Sequence, residues 1–149
     1  MKKDILFVLV QFLLFVCYIM NWGVLEFEAP AILRYVGIVG VGVGILIVVM
    51  GILNLNDSLS SFPSPKKNAG LIQNGIYKYV RHPIYLGILA GTYSYALYAA
   101  SVDKLFFAFL LNVVFYFKSS YEEELLVARY SSYADYQKTT GRFWPKYRP

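Results

Sequence analysis

The sequence predicts an all-α integral membrane protein: a helical bundle of about four transmembrane helices with a large cytosolic loop and a C-terminal helical tail. Three observations predict this class. Hydrophobic residues make up 58% of the chain, charged residues make up only 15% where about 25% is usual in soluble domains, and the apolar residues are gathered into long runs. A soluble domain of 149 residues exposes too much surface for so few charges. This length also predicts a single domain over residues 1–149.

Composition excludes several other classes of protein. The apolar content is too high for a disordered chain. Cys17 is the single cysteine, which argues against a disulfide scaffold, a zinc finger or an iron–sulfur protein, and no metal site is expected. The net charge of +5 is explained by membrane topology and by anionic lipid headgroups, so no nucleic-acid partner is expected.

The first predicted span covers residues 5–22, which are apolar except for Gln11 and the amphipathic Tyr18. Eighteen helical residues rise about 27 Å, close to the thickness of a hydrocarbon core. A secretory signal peptide is the competing interpretation. We reject it because the run is long and because bulky Asn21 and Trp22 stand where small residues would precede a cleavage site.

The second predicted span covers residues 35–53 and carries no charge. It contains five glycines, which would weaken a soluble helix but let membrane helices approach closely: Gly37, Gly40, Gly42, Gly44 and Gly51. The third span, residues 84–100, has Gly87 and Gly91 at a spacing that is typical of helix packing. The glycine-rich second span would also permit a homodimer.

The fourth predicted span covers residues 105–117 and is short for a full crossing. We expect its helix to continue through Lys118, whose ammonium can reach the interface, and into the acidic stretch that follows. Residues 101–104 then form a tight hairpin between the third and fourth spans.

Charge predicts the orientation of these spans. Residues 1–4, the loop 56–83 and the tail 118–149 each carry more Lys and Arg than Asp and Glu, whereas residues 23–34 and 101–104 are negative or neutral. This alternation predicts a multi-pass protein, in a bacterial inner membrane, with both termini in the cytoplasm. The cytosolic loop and tail are therefore the segments large enough to do chemistry.

The end of the cytosolic loop combines turn residues with polar side chains. Asn74-Gly75 is a turn signal, and Pro83 suits the first turn of the third helix. Arg81 and His82 therefore lie beside a helix N-terminus, where free N–H groups favour an anion. A lone histidine at an interface is, however, more often a hydrogen-bonded anchor.

The tail begins with an acidic run, residues 122–124, and ends with Arg142 and two aromatic residues. Tyr130, Tyr133 and Tyr136 are spaced by three, which predicts one face of a helix. Each feature has a plain structural explanation, because acidic runs are commonly solvated and tyrosines commonly form interfacial belts.

The order of these motifs resembles that of the membrane methyltransferase superfamily of isoprenylcysteine carboxyl methyltransferases and phospholipid methyltransferases. Two blocks carry the resemblance, with a helical hairpin between them. The first block reads Leu71-Ile72, Gly75, Tyr77, Arg81-His82-Pro83 and Tyr85. The second reads Glu122-Glu123, Leu126, Tyr130, Tyr133, Tyr136, Arg142 and Pro145. The resemblance extends from about residue 69 to residue 145, roughly half the chain.

The resemblance implies a binding site for S-adenosyl-L-methionine between the first block and the first acidic residue after the last span. Carried over to this chain, the implied cofactor-binding residues are Ala69, Gly70, Leu71, Ile72, Gly75, Tyr77, His82, Pro83, Ile84, Tyr85 and Glu122. The chemistry is suitable, because a carboxylate favours a helix N-terminus and an ammonium favours a carboxylate such as Glu122.

Four further residues are candidates for catalysis: Arg81, Lys118, Glu123 and Arg142. A carboxylate acceptor needs only a cation to orient it, such as Lys118 or Arg142. An amine acceptor must first be neutral, so Glu123 or a tyrosine is the candidate base. Lys118 stands where the prenylcysteine enzymes carry a substrate-binding arginine.

The predicted function is therefore methyl transfer to a lipidic or prenylated acceptor in the bilayer, with carboxyl methylation as the leading possibility. Three alternatives stay open. They are N-methylation of a phospholipid amine, a membrane reductase that uses a nicotinamide cofactor, and a membrane scaffold without enzymatic activity.

Overall fold

A computed structural model describes residues 2–55 and 70–146. Within these residues the chain is helical and has no β-strand beyond two isolated bridges. The elements in order are α1 (Lys2–Ile19), α2 (Ala31–Leu55), a 3₁₀ helix (Gly75–Lys78), α3 (Pro83–Tyr98), α4 (Val102–Arg129) and α5 (Tyr133–Thr139). The all-α class predicted from the sequence is confirmed for this part of the chain.

The helices lie close to the predicted spans but do not share their bounds. α3 begins at Pro83, as its position before the third apolar run predicts. α4 continues well past residue 117 to Arg129, so the predicted fourth span and the acidic stretch are one helix. Ser101 caps α4 by accepting a hydrogen bond from the backbone N–H of Lys104, which closes the predicted hairpin.

One prediction for the tail is wrong. Tyr130, Tyr133 and Tyr136 do not lie on one helix, because α4 ends at Arg129, just before Tyr130, and α5 begins only at Tyr133. Tyr130 has extended backbone dihedrals. The turn at Ser131-Ser132 redirects the chain, so that Tyr133 and Tyr136 become buried.

The helices pack in the order α2, α3, α4, α1, because α3 contacts both α2 and α4 while α1 packs against α4. The core between them is built on Leu89 of α3 with Leu111 and Phe115 of α4. Hydrogen bonds also tie α1 to its neighbours. The Tyr18 hydroxyl donates to the Thr92 carbonyl oxygen at 2.6 Å, and Lys104 donates to the Tyr18 carbonyl oxygen at 2.9 Å.

A seam of glycines lets α2 and α3 approach closely. Gly37, Gly44 and Gly51 are buried, one every second turn, and all three face α3. A Cβ atom added at Gly44 would lie 2.7 Å from the carbonyl oxygen of Gly87, which leaves no room for a side chain. Gly42, on the same helix, would meet nothing within 4 Å.

Among the described helices, α2 alone is both long enough and apolar enough to qualify as a membrane span by length and composition. α3 has only 16 residues, and α1 begins with three charged residues, Lys2, Lys3 and Asp4. Large apolar side chains are nevertheless exposed along α1 as well, including Leu9 and Phe12 at 61% and 67%. The four-span topology stays a prediction.

Replacing Gly44 by alanine is expected to destabilise the protein by about 1–3 kcal/mol, the usual cost of inserting a methyl group into a packed interface. Thermal unfolding of the purified protein in detergent measures the effect. Gly42→Ala is the matched control, and its unfolding midpoint should stay at or above that of the wild type. Equal midpoints for the two variants would contradict a tight α2–α3 seam.

Candidate functional site

The C-terminal end of α2 positions the end of the loop that leads to α3. Gly75 has φ +55°, in the left-handed region that favours glycine, and this turn directs the chain into the 3₁₀ helix. The Asn54 side-chain oxygen accepts a hydrogen bond from the Ile76 N–H at 2.8 Å. The Tyr77 hydroxyl donates to the Gly51 carbonyl oxygen at 3.4 Å. The loop therefore arrives at α3 from a defined direction.

The tail pairs with the residues that precede α3. The backbone N–H groups of Arg81 and His82 donate to the carbonyl oxygens of Gly141 and Arg142, at 2.8 and 3.1 Å. The Arg81 guanidinium also donates to the carbonyl oxygen of Thr140. Two segments about sixty residues apart in sequence are thus joined directly in front of the α3 N-terminus.

Glu123 of α4 lies at the centre of this junction, with its side chain 4% exposed. Its Oε1 accepts from Arg81 Nε at 2.8 Å and lies 3.0 Å from His82 Nε2. Its Oε2 accepts from Arg142 Nη2 at 3.0 Å and from Gln137 Nε2 at 2.9 Å. One carboxylate therefore joins α4 to the loop, to α5 and to the tail.

The surroundings of Glu123 favour its ionised form. Burial by itself raises the pKa of this carboxyl, but hydrogen bonds and positive charge from His82 and Arg81 outweigh burial and hold the pKa well below its usual range. Glu123 is therefore a carboxylate at neutral pH.

The neighbouring carboxyl of Glu122 has different partners. Its Oε1 accepts from the Tyr85 hydroxyl at 2.5 Å, and its Oε2 lies 3.5 Å from His82 Nδ1. Burial raises the pKa of Glu122, against the lowering effect of His82, Tyr85 and Lys118. His82 thus lies between two carboxyl groups whose pKa values are shifted in opposite directions.

Aromatic rings form one wall beside the two carboxyl groups. The His82 and Tyr85 rings are parallel, with centroids 5.6 Å apart, and the Tyr85 ring stacks on Phe115 at 4.6 Å. Phe143 of the tail meets His82 edge to face at 6.0 Å. The stack runs from the apolar core to the polar junction.

Lys118 lies one helical turn before Glu122, and the residue is 2% exposed. Its ammonium donates to Gln11 Oε1 of α1 at 2.8 Å and lies 5.2 Å above the centre of the Tyr85 ring. Burial lowers the pKa of Lys118, and the nearby charge of Glu122 partly opposes this shift.

The structure brings together most of the residues singled out from the sequence. His82, Tyr85, Lys118, Glu122 and Glu123 form one connected cluster. Arg81 and Arg142 join it through Glu123. The remaining predicted residues lie around the loop: Gly70, Leu71 and Ile72 in the irregular segment before the 3₁₀ helix, Gly75 and Tyr77 within it, and Pro83 and Ile84 at the start of α3. Ala69 lies outside the described residues.

Sequence reasoning missed three polar residues that contact the cluster. Gln137 binds Glu123, Ser120 accepts a hydrogen bond from Arg142 at 2.8 Å, and Gln11 binds Lys118. Gln11 had a visible signal, since it interrupts an apolar run that is otherwise broken only by Tyr18. Gln137 and Ser120 have polar neighbours in the sequence, and their spacing does not distinguish them as site residues.

Comparison with known families identifies one match: a family model for phospholipid methyltransferases matches residues 32–133. The matched segment is about two thirds of the chain and contains α2, α3, α4 and the loop before α3. No curated protein matches the chain. The match excludes α1 and the half of the tail that follows residue 133.

Replacing Glu123 by glutamine is expected to destabilise the protein by about 3–5 kcal/mol, because it leaves the buried Arg81 and the Arg142 guanidinium without their carboxylate. Thermal unfolding in detergent checks this. Glu124→Gln, at the exposed neighbouring position, is the control and should unfold like the wild type. If both variants unfold alike, Glu123 does not hold the junction together.

The pH dependence of stability should also show that ionised Glu123 stabilises the folded protein. Because the folded state lowers the pKa of Glu123, its stabilisation is fully present above the ordinary glutamate pKa of about 4.3 and is lost as the pH falls below that value. We expect the unfolding midpoint of the wild type to fall more steeply between pH 6 and pH 3 than that of Glu123→Gln. Parallel profiles would contradict the assignment.

Proposed function

The chain belongs to the phospholipid methyltransferase family, within the superfamily of membrane methyltransferases, and on that premise we propose that it uses S-adenosyl-L-methionine to methylate a lipidic acceptor. The observation that carries the proposal is the cluster at the α3 N-terminus. There His82, Tyr85 and Glu122 contact one another beside the buried Lys118 cation.

The residues present suit this cofactor, which supplies an electrophilic methyl group on a sulfonium when it is bound. Glu122 is a carboxyl whose side chain is 15% exposed, and it can accept hydrogen bonds from an ammonium. The free N–H groups at the start of α3 suit a carboxylate. The faces of Tyr77 and Tyr85 suit a sulfonium cation. The 70–72 segment, together with Gly75, Pro83 and Ile84, would complete the enclosure.

Carboxyl methylation is the reaction that we favour. A carboxylate acceptor is already nucleophilic at neutral pH and needs orientation rather than a base. Lys118 is a buried cation beside Tyr85 and suits that task. Arg142 also lies within the cluster, although one nitrogen of its guanidinium is held by Glu123. Arg81 and Glu123 are engaged with each other, and we assign them the task of positioning His82.

N-methylation of a phospholipid amine is the second candidate, because the description of the matched family names phospholipids. An amine acceptor must lose a proton before it attacks the methyl group. Glu123 is poorly suited as that base, since its oxygens face four donors. A tyrosine is the other candidate for this base, but burial raises the pKa of Tyr77, so its hydroxyl keeps its own proton at neutral pH.

An acceptor with a hydrocarbon chain fits the surroundings of the site. An open apolar groove of about 320 Å³ runs along the surface where α2 and α3 meet. Ile88, which lines it, is three residues beyond Tyr85 and therefore on a neighbouring part of the same helix face. We propose that the acceptor enters sideways from the bilayer between four membrane-crossing helices, while the cofactor enters from the cytoplasm.

The cofactor assignment is tested by titrating the purified protein in nanodiscs with S-adenosylhomocysteine in a calorimeter. We expect saturable binding that Glu122→Gln weakens by about tenfold or more, because an ammonium loses a charged hydrogen-bond partner. Glu124→Gln is the matched control and should bind as the wild type does.

Two results would overturn the cofactor assignment. Binding of NADPH in place of S-adenosylhomocysteine would favour a reductase. If the folded protein binds neither compound, the result would favour a membrane scaffold.

The acceptor chemistry is tested by incubating membranes that contain the protein with a methyl-labelled cofactor. Carboxyl methylation predicts label in the lipid fraction that mild base releases as methanol, because esters hydrolyse and alkylamines do not. Membranes that carry Lys118→Ala should lose most of this label. Label that resists base would identify the amine as the acceptor instead.

A further inference from the structure

Two neighbouring aromatic residues of the tail have opposite surroundings. Phe143 faces the site and packs against His82 with ring centroids 6.0 Å apart. Trp144, the next residue, is 76% exposed. An indole carries a large apolar surface and one N–H donor, and its exposure to bulk water leaves that apolar surface without a favourable contact. The position of Trp144 therefore calls for an environment that suits both parts of the indole.

The turn that carries Trp144 is held firmly on both sides. A Cβ atom at Gly141 would collide with the carbonyl oxygen of Trp144, so the turn is closed tightly at a glycine. Before Trp144, the Arg142 guanidinium donates to Ser120 Oγ of α4 at 2.8 Å. After it, the Lys146 ammonium donates to two carbonyl oxygens of α5. Exposure of the indole is thus a consequence of a turn fixed to two helices.

Arg142 shows where this turn lies along α4. Its guanidinium is 5.1 Å from the centre of the Tyr116 ring. Tyr116 and Phe117 are both exposed, and they close the predicted fourth span. Aromatic residues at the ends of spans lie at the level of the lipid headgroups. The backbone of Trp144 is at most about 7 Å from that of Arg142, so the turn brings the indole to the same level.

The charges around the turn also suit a lipid surface. Lys146 follows Trp144 closely in the chain and is exposed. Lys78 is exposed as well, and its carbonyl oxygen accepts a hydrogen bond from Thr140, beside the turn, at 3.5 Å. Basic residues next to a bilayer attract anionic headgroups, and tryptophan is enriched at bilayer interfaces because its ring is apolar and its N–H is polar.

We propose that Trp144 anchors the tail in the bilayer: its indole inserts among the lipid headgroups of the leaflet beside the site. The anchored turn keeps Phe143 against His82 and keeps Gly141 and Arg142 paired with the residues before α3. The bilayer is then part of what holds the site together. This inference goes beyond the proposed function, because it holds whichever ligand the site binds.

The location of the indole is tested by fluorescence quenching. The chain has two tryptophans, so Trp22→Phe leaves Trp144 as the only one. The protein is placed in nanodiscs of phosphatidylcholine and phosphatidylglycerol. Bromine atoms on the acyl chains near the headgroups should quench Trp144 more than bromine atoms near the chain ends, and iodide in the water should quench it weakly. Strong quenching by iodide without quenching by brominated lipid would overturn the inference.

A matched control places an indole outside the bilayer. Glu124 is exposed and lies seven positions beyond Phe117, about 10 Å further along α4. Glu124→Trp, in a protein whose two tryptophans are replaced by phenylalanine, should be quenched by iodide and not by brominated lipid. If Trp22→Phe does not fold, the difference between the signals of the wild type and of Trp144→Phe reports on Trp144 instead.

Hydrogen exchange tests what the anchor does for the site. The N–H groups of Arg81 and His82 donate to the carbonyl oxygens of Gly141 and Arg142, so their exchange reports whether the tail stays in place. In nanodiscs, Trp144→Ser should lose part of this protection. Trp144→Tyr, which keeps a residue typical of interfaces, should retain it. Equal protection in the wild type and in Trp144→Ser would show that Trp144 anchors nothing.

Discussion

The carboxylate of Glu123 is the interaction on which the architecture of the site depends. One of its oxygens contacts Arg81 and His82, and the other contacts Gln137 and Arg142. These residues come from the loop before α3, from α5 and from the tail, and α4 carries the carboxylate itself. Without this shared anion, two positively charged segments would face each other across a buried space, and nothing else among the described contacts would offset their repulsion as effectively.

The unbroken length of α4 turns this junction into a site. Because α4 continues from the apolar core to Arg129, Lys118, Glu122 and Glu123 follow Phe115 on one rigid element. Lys118 and Glu122 lie one turn apart on a single face, whereas Glu123 points toward the loop and tail. A break after residue 117 would have separated the cation from the carboxyl groups, and their mutual distances would then depend on a flexible connection.

The sequence predicts the helices well and the contacts of the site less well. Pro83, the apolar runs and the Gly87 and Gly91 spacing are local signals, so they locate α3 and its packing correctly. The regular spacing of the tyrosines predicts one continuous helix, but the chain turns at Ser131-Ser132. This turn buries Tyr133 and Tyr136, and the spacing alone does not reveal that burial. The pairing of Gln11 with Lys118 spans 107 positions, and no local pattern encodes such a distance.

Adjacent positions on α4 illustrate how the fold assigns different chemistry to identical side chains. Glu122 and Glu123 project about 100° apart around the helix, so one faces Tyr85 and the other faces two guanidinium groups. Burial dominates for Glu122 and raises its pKa, whereas positive charge dominates for Glu123 and lowers its pKa. A carboxyl whose oxygens are not already occupied by cations can still bind a positively charged ligand, whereas a fully occupied one cannot. Helix geometry and the position of the two arginines therefore separate Glu123, which holds the junction together, from Glu122, which we propose binds the cofactor.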